Sequence, residues 1–156
     1  MSIDSLPLLA PALLLVSALI GFASPALRPR VAPGLAELAA LLAALVAMLS
    51  MGVLIVDGPS TSELLGARGL GLSVRLDWVS TTMLTLVSFI SWVVARYSRT
   101  YLDGERRQGM FTGWLCMTLA SVLLLVTAGN LVQLVVAWIA TSLFLHRLLL
   151  FYPDRL

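Results

Sequence analysis

Apolar residues fall along this chain in five long blocks, 6–23, 35–56, 78–95, 110–126 and 131–151, separated by shorter polar stretches. A run of about twenty mainly apolar residues, wound as a helix, is long enough to cross the ~30 Å hydrocarbon core of a bilayer. The pattern predicts an all-α integral membrane protein with about five transmembrane helices in a single domain, 1–156. Behind the first block, Ala23-Ser24-Pro25 has the look of a signal cleavage region. No basic residue precedes that block and Asp4 does, so it is read as a retained helix.

The connections add detail. Only 127–130 separate the fourth and fifth blocks, which makes those helices antiparallel neighbours joined by a tight turn, with Asn130 placed to cap the fifth. The stretch from Asp57 to Asp77 opens on Asp-Gly-Pro, a turn signal, and alternates apolar and polar residues over 71–77, which predicts a short extended piece on the outer surface. Asp77 stands at the start of the third helix, with Trp78 as an interfacial anchor. In the second block alanines recur at 36, 40 and 44 and at 39, 43 and 47. Two adjacent rows of small residues let helices approach closely in lipid.

Composition supports the membrane reading: 60% of residues are hydrophobic, 12% are charged, and the mean hydropathy is +1.00. All ten basic residues are arginine. With five crossings, Arg28, Arg30, Arg96, Arg99, Arg106, Arg107, Arg147 and Arg155 fall on one side and only Arg68 and Arg75 on the other. The positive-inside bias then predicts an N-terminus outside and a C-terminus in the cytoplasm. A net charge of +2 confined to loops makes no basic face for nucleic acid. Cys116, the single cysteine, lies inside an apolar block and reads as a small buried hydrophobe.

The fifth block carries the candidate chemistry: Gln133, Trp138, Thr141, Ser142, His146 and Arg147. Polar groups within a membrane span are costly and tend to mark function. On a helix, Trp138, Ser142 and His146 are four residues apart and form one ridge, Thr141 lies beside it, and Gln133 and Arg147 turn away. The ridge is expected to face protein, with Trp138, Thr141, Ser142 and His146 lining or supporting an ion path. Histidine as a residue type can change charge near neutral pH and relay protons. Arg147 has an alternative role, snorkelling to the interface. Glu37, at the start of the second helix, suits the positive end of the helix dipole. In the third loop, 97–108, Arg99, Arg106 and Arg107 are candidates for contact with anionic headgroups or a partner. There is no phosphate loop, HExxH, CxxC or serine–histidine–aspartate set, and no acidic pair at mid-membrane. No catalytic residue, cofactor or metal is therefore expected in this chain, and it is not expected to be an enzyme by itself.

Several residues carry a family resemblance. Tyr97-Ser98-x-x-Tyr101-Leu102-x-Gly104, Phe111 opening a helix, then Asn130-Leu131 and Trp138, resemble the N-terminal part of the antiporter-like (subunit L type) membrane subunits of respiratory complex I and of Mrp cation/proton antiporters. The resemblance covers roughly 75–156. Within that superfamily the run from Trp138 to Pro153, WIATSLFLHRLLLFYP, looks most like DabB, the membrane subunit that partners DabA in bacterial inorganic carbon accumulation. The resemblance implies an ion gradient of protons or sodium, a cell inner membrane location, and zinc on the DabA-like partner. It also implies a longer subunit of which this is the N-terminal portion. One position departs from the complex I pattern, where a proton-handling glutamate follows the tryptophan directly. Here it is Ile139, which cannot bind or release a proton.

Overall fold

The computed structural model describes residues 9–23, 31–61, 65–67, 70–72, 75–101 and 107–151. Five helices follow in order: α1 (Leu9–Ala23), α2 (Val31–Asp57), α3 (Trp78–Tyr101), α4 (Gln108–Val126) and α5 (Leu131–Leu149). The last four are long and apolar enough to cross a membrane, whereas α1 is a shorter apolar helix. Positions 6–8, Arg28, Arg30, Arg68, Arg106 and Arg155 lie outside the described residues.

Three helices exceed their apolar blocks, α4 by only two residues at its start. α2 begins four residues earlier than expected, because Pro33 falls in its first turn, where a missing N–H breaks no helical bond. It ends at Gly58, whose φ of 79° suits a residue without Cβ and whose N–H donates to the Leu54 carbonyl at 3.0 Å. α3 runs on through Tyr101, so 97–101, expected in a loop, are helical. Hydropathy marks where a helix leaves the hydrocarbon, not where its backbone bonds stop. Asp77 opens α3 as predicted, accepting a hydrogen bond from the Ser80 N–H at 2.6 Å.

Between α2 and α3 the chain makes short antiparallel ladders rather than one extended piece. β1 (Ser60–Thr61) pairs with β4 (Arg75–Leu76), and β2 (Leu65–Ala67) with β3 (Leu70–Leu72). The Arg75 N–H donates to the Thr127 carbonyl at 3.2 Å, so the base of this hairpin docks on the α4–α5 turn.

Helices α1 to α4 form a closed group in which α1 packs on α2 and α4, and α3 completes the circuit between α2 and α4. Its interior is made of small residues. α2 contributes Ala36, Ala39, Ala40, Ala43 and Ala47, as the alanine rows predicted, with Ala44 only half-buried. α3 answers with Thr81, Leu84, Ser88, Ser91 and Ala95, spaced alternately by three and four residues on one face. Where α1 crosses α4, a Cβ added at Gly21 would stand 3.0 Å from the Gly109 carbonyl oxygen and 3.3 Å from the Gly113 Cα. Backbone thus meets backbone with no side chain between.

Two outcomes test this packing. Gly21→Ala should destabilise the protein by about 1–3 kcal/mol through overpacking against rigid backbone. Gly52→Ala, inside α2 at a site with nothing within 4 Å, should be neutral to stabilising by up to about 1 kcal/mol; equal unfolding midpoints for the two variants in detergent would contradict the crossing described here. At the other end of the fold, the Asp77 carboxyl is held below its usual 3.8, first by the Ser80 backbone N–H and also by Arg75, whose Nε lies 3.0 Å away. A carboxyl depressed in the folded state stabilises fully above its unfolded value and loses that contribution as pH falls through the folded value. The cost of Asp77→Ala should therefore be about 1 kcal/mol at neutral pH. It should shrink below about pH 4, as read from unfolding midpoints across an acid series.

Candidate functional site

The turn after α4 fixes how α5 begins. Asn130 is extended (φ −139°, ψ 159°), and its side chain accepts from the Gln133 N–H at 2.7 Å, the cap expected from sequence. From there one stripe of α5 is covered. Gln133, Ala137 and Phe151 are buried, and Ala140, Thr141, Phe144 and Leu148 are half-buried between them. These positions recur at the helical period on the side packed against α4, the principal neighbour of α5 among the helices. The Thr141 hydroxyl turns back along its own helix and donates to the Ala137 carbonyl at 2.8 Å.

Within the described residues the polar ridge lies on the side of α5 that α4 leaves open. Trp138 is 65% exposed, and Ser142 and His146 are exposed with it. Only Thr141, of the four candidate ion-path residues, belongs to the stripe that meets α4. Gln133, expected to turn away from the ridge, is buried on the α4-facing stripe. Ile139 is 56% exposed. Small residues permit the close packing of α5 on α4, and Ala137, Ala140 and Thr141 mark the α4-facing stripe by size.

At the opposite end of α5 from Asn130, charged residues from four helices gather. The Arg99 Nη1 donates to the Glu37 Oε2 at 2.7 Å, joining α3 to α2, and the Gln108 side-chain amide donates to the Arg99 carbonyl at 3.2 Å, joining α4 to α3. Glu37 thus has a specific partner, and it lies well inside α2 rather than at its first residue. Arg107 stands with its guanidinium 4.3 Å from the centroid of the Phe151 ring, a cation–π contact. Beside it a cleft of about 650 Å³ opens between α4 and α5, lined by Arg107, Trp114, Phe144, His146, Arg147 and Phe151 among others. His146 and Arg147, assigned to different faces by the ridge argument, both reach this cleft. Among the described residues no three His, Cys, Asp or Glu side chains come together. The arrangement can present positive charge and aromatic surface at one end of the bundle, and it offers no nucleophile–base pair.

Comparison with known proteins then places the chain. Residues 65–112, from β2 into the start of α4, match the family described as NADH-Ubiquinone oxidoreductase (complex I), chain 5 N-terminus. A probable inorganic carbon transporter subunit, DabB2 of Halothiobacillus neapolitanus, is 45% identical over 86 residues, 55% of this chain and 16% of that protein. The corresponding DabB of Hydrogenovibrio crunogenus is 39% identical over 101 residues, 55% of this chain and 20% of that protein. Over about half its length, this chain is similar to DabB subunits. It also resembles NADH-ubiquinone oxidoreductase chain 5 of Acanthamoeba castellanii, 36% identical over 89 residues, 53% of this chain and 13% of that protein. The chain spans a fifth or less of the length of these relatives.

The Glu37–Arg99 pair gives the site's own test. Its arginine is more than half exposed, at 56%, and its carboxylate 19% exposed. A double-mutant cycle of Glu37→Gln and Arg99→Gln should return a coupling of about 0.2–1 kcal/mol, typical of an ion pair in reach of water and salt. A coupling lost at high salt fits this account; a large salt-independent coupling contradicts it.

Proposed function

We propose that this chain forms part of the membrane subunit of a cation-gradient-powered inorganic carbon uptake complex in a bacterial inner membrane. The observation that carries the reading is the 39–45% identity to probable DabB-type transporter subunits over half the chain. Protons or sodium ions moving through the subunit would energise uptake of CO2 as bicarbonate. A DabA-like partner would hold the zinc, since this chain has one histidine and one cysteine, far apart in sequence. Trp138, Ser142 and His146 occupy the stripe of α5 that α4 leaves open. An ion path on them would run between α5 and the protein that covers it, with Thr141 at its edge. Arg99, Arg107 and Arg147 gather at one end, which supports an orientation with that end, and the C-terminus, in the cytoplasm.

A second reading has its own support in the match of 65–112 to the complex I chain 5 family: a proton-translocating subunit of an NADH:quinone oxidoreductase, or of an Mrp-type antiporter. Ile139 weighs against it, because the residue replacing the family acid cannot carry a proton. Purification in mild detergent separates the two. A large soluble zinc protein should accompany the chain, and peripheral redox subunits in its place would overturn the first reading. In a strain that depends on the complex for growth in air-level CO2, Ser142→Ala with His146→Ala should impair growth while the complex still assembles. Unchanged growth with normal assembly would remove the ion path from these residues and leave the family reading intact.

A further inference from the structure

The cleft between α4 and α5 has a shape and a charge that the transport reading does not use. Near the α4–α5 turn the two helices meet through Ala137 and Ala140, whereas toward the other end rings stand between them. Trp114 and Phe144 have centroids 6.0 Å apart, and Phe111 and Phe151 5.6 Å apart. Trp114 is braced on its other side by Phe22 of α1, with centroids 5.2 Å apart. Bulk at one end and small residues at the other open a wedge, and the wedge is the cleft. Its floor is aromatic and aliphatic, and the exposed side chains of Leu143 and Leu150 continue it along α5.

The rim is cationic. Arg107 sits at the N-terminal boundary of α4, and its contact with the Phe151 ring holds the guanidinium at the mouth. Arg147, in the last turn of α5, comes from the facing helix with His146 beside it. Among the described residues no aspartate or glutamate lines the cleft, and no carboxylate pairs with either arginine. The two arginines belong to helix ends, the depth at which headgroups sit against a membrane protein. A volume of about 650 Å³ is that of a small-molecule site, enough for a glycerophosphate head and the first carbons of an acyl chain.

From this we propose that the α4–α5 cleft binds an anionic phospholipid, its phosphodiester held between Arg107 and Arg147 and one acyl chain laid over Phe144 and Leu143. Guanidinium groups suit phosphate because they present paired donors to its oxygens and remain charged. Phosphate charge and a hydrocarbon tail together match the two halves of the cleft; a free anion matches only the rim, and a neutral lipid only the floor.

The full-length protein, purified in mild detergent with the subunits that accompany it, can be exchanged into phosphatidylglycerol or phosphatidylcholine of the same chain length. Lipid still bound after detergent washing is then counted by native mass spectrometry. Phosphatidylglycerol should be retained and phosphatidylcholine lost. Arg107→Gln with Arg147→Gln should lower retention by about tenfold or more, while Arg96→Gln, on α3 away from the cleft, should not change it. Leu143→Trp, which fills the floor from its exposed side and leaves both arginines, should also lower retention, and it keeps the test decisive if the double variant fails to fold. Equal retention of the two lipids, or displacement of phosphatidylglycerol by millimolar inorganic phosphate, would overturn the proposal. So would wild-type protein that retains neither lipid because other protein fills the cleft.

Discussion

The fold depends on helix backbones coming close enough to touch where Gly21 meets Gly109 and Gly113. In lipid there is no hydrophobic reward for bringing apolar surfaces together, so association rests on dispersion between well-fitted surfaces. Small residues supply that fit throughout α1 to α4, with the alanine rows of α2 facing a neighbour whose own stripe is threonine, serine and alanine. The hydroxyls in this interior mostly bond their own helices: Ser91 to the Val87 carbonyl, Ser121 to Met117, Thr118 to Trp114 and Ser50 to Val46. They therefore add little cross-helix glue, and shape holds the group together. Ser88 differs, being fully buried with no hydrogen-bond partner for its hydroxyl.

Because the interior is closed by small side chains, charge is left to the ends, and the two ends differ. One carries the Asp77–Arg75 pair and the hairpin base on the α4–α5 turn. The other ties α2, α3 and α4 through Glu37, Arg99 and Gln108, and leaves Arg107 and Arg147 without a described carboxylate. α5 connects both ends while packing chiefly on α4, so its outer stripe is left uncovered by the small-residue contacts.

Much of this was legible in the residues. The helices, the Asn130 cap, the Asp77 start and the α2 alanine face follow from block length, cap chemistry and helical period, all local. What escaped was non-local or depended on a neighbour. The Glu37–Arg99 bond joins positions 62 apart in sequence, and nothing near either residue names the other. The strands of the two ladders are only two or three residues long, too short for an alternating pattern to betray their register. On α5 the stripe that meets α4 is marked by the small residues Ala137, Ala140 and Thr141 rather than by polarity.

The cationic cleft also bears on the ion path. His146, on the outer stripe of α5, shares its end of the helix with Arg107 and Arg147. Two guanidinium groups with no carboxylate partner among the described residues repel an approaching cation. A cation path passing His146 is therefore hard to reconcile with an empty cleft. A phosphodiester between the arginines removes most of that repulsion, because its charge lies closer to both guanidinium groups than an ion at His146 would. On this argument the anionic occupant and the ion path are linked by charge: whatever fills the cleft sets how readily a cation can pass the end of α5.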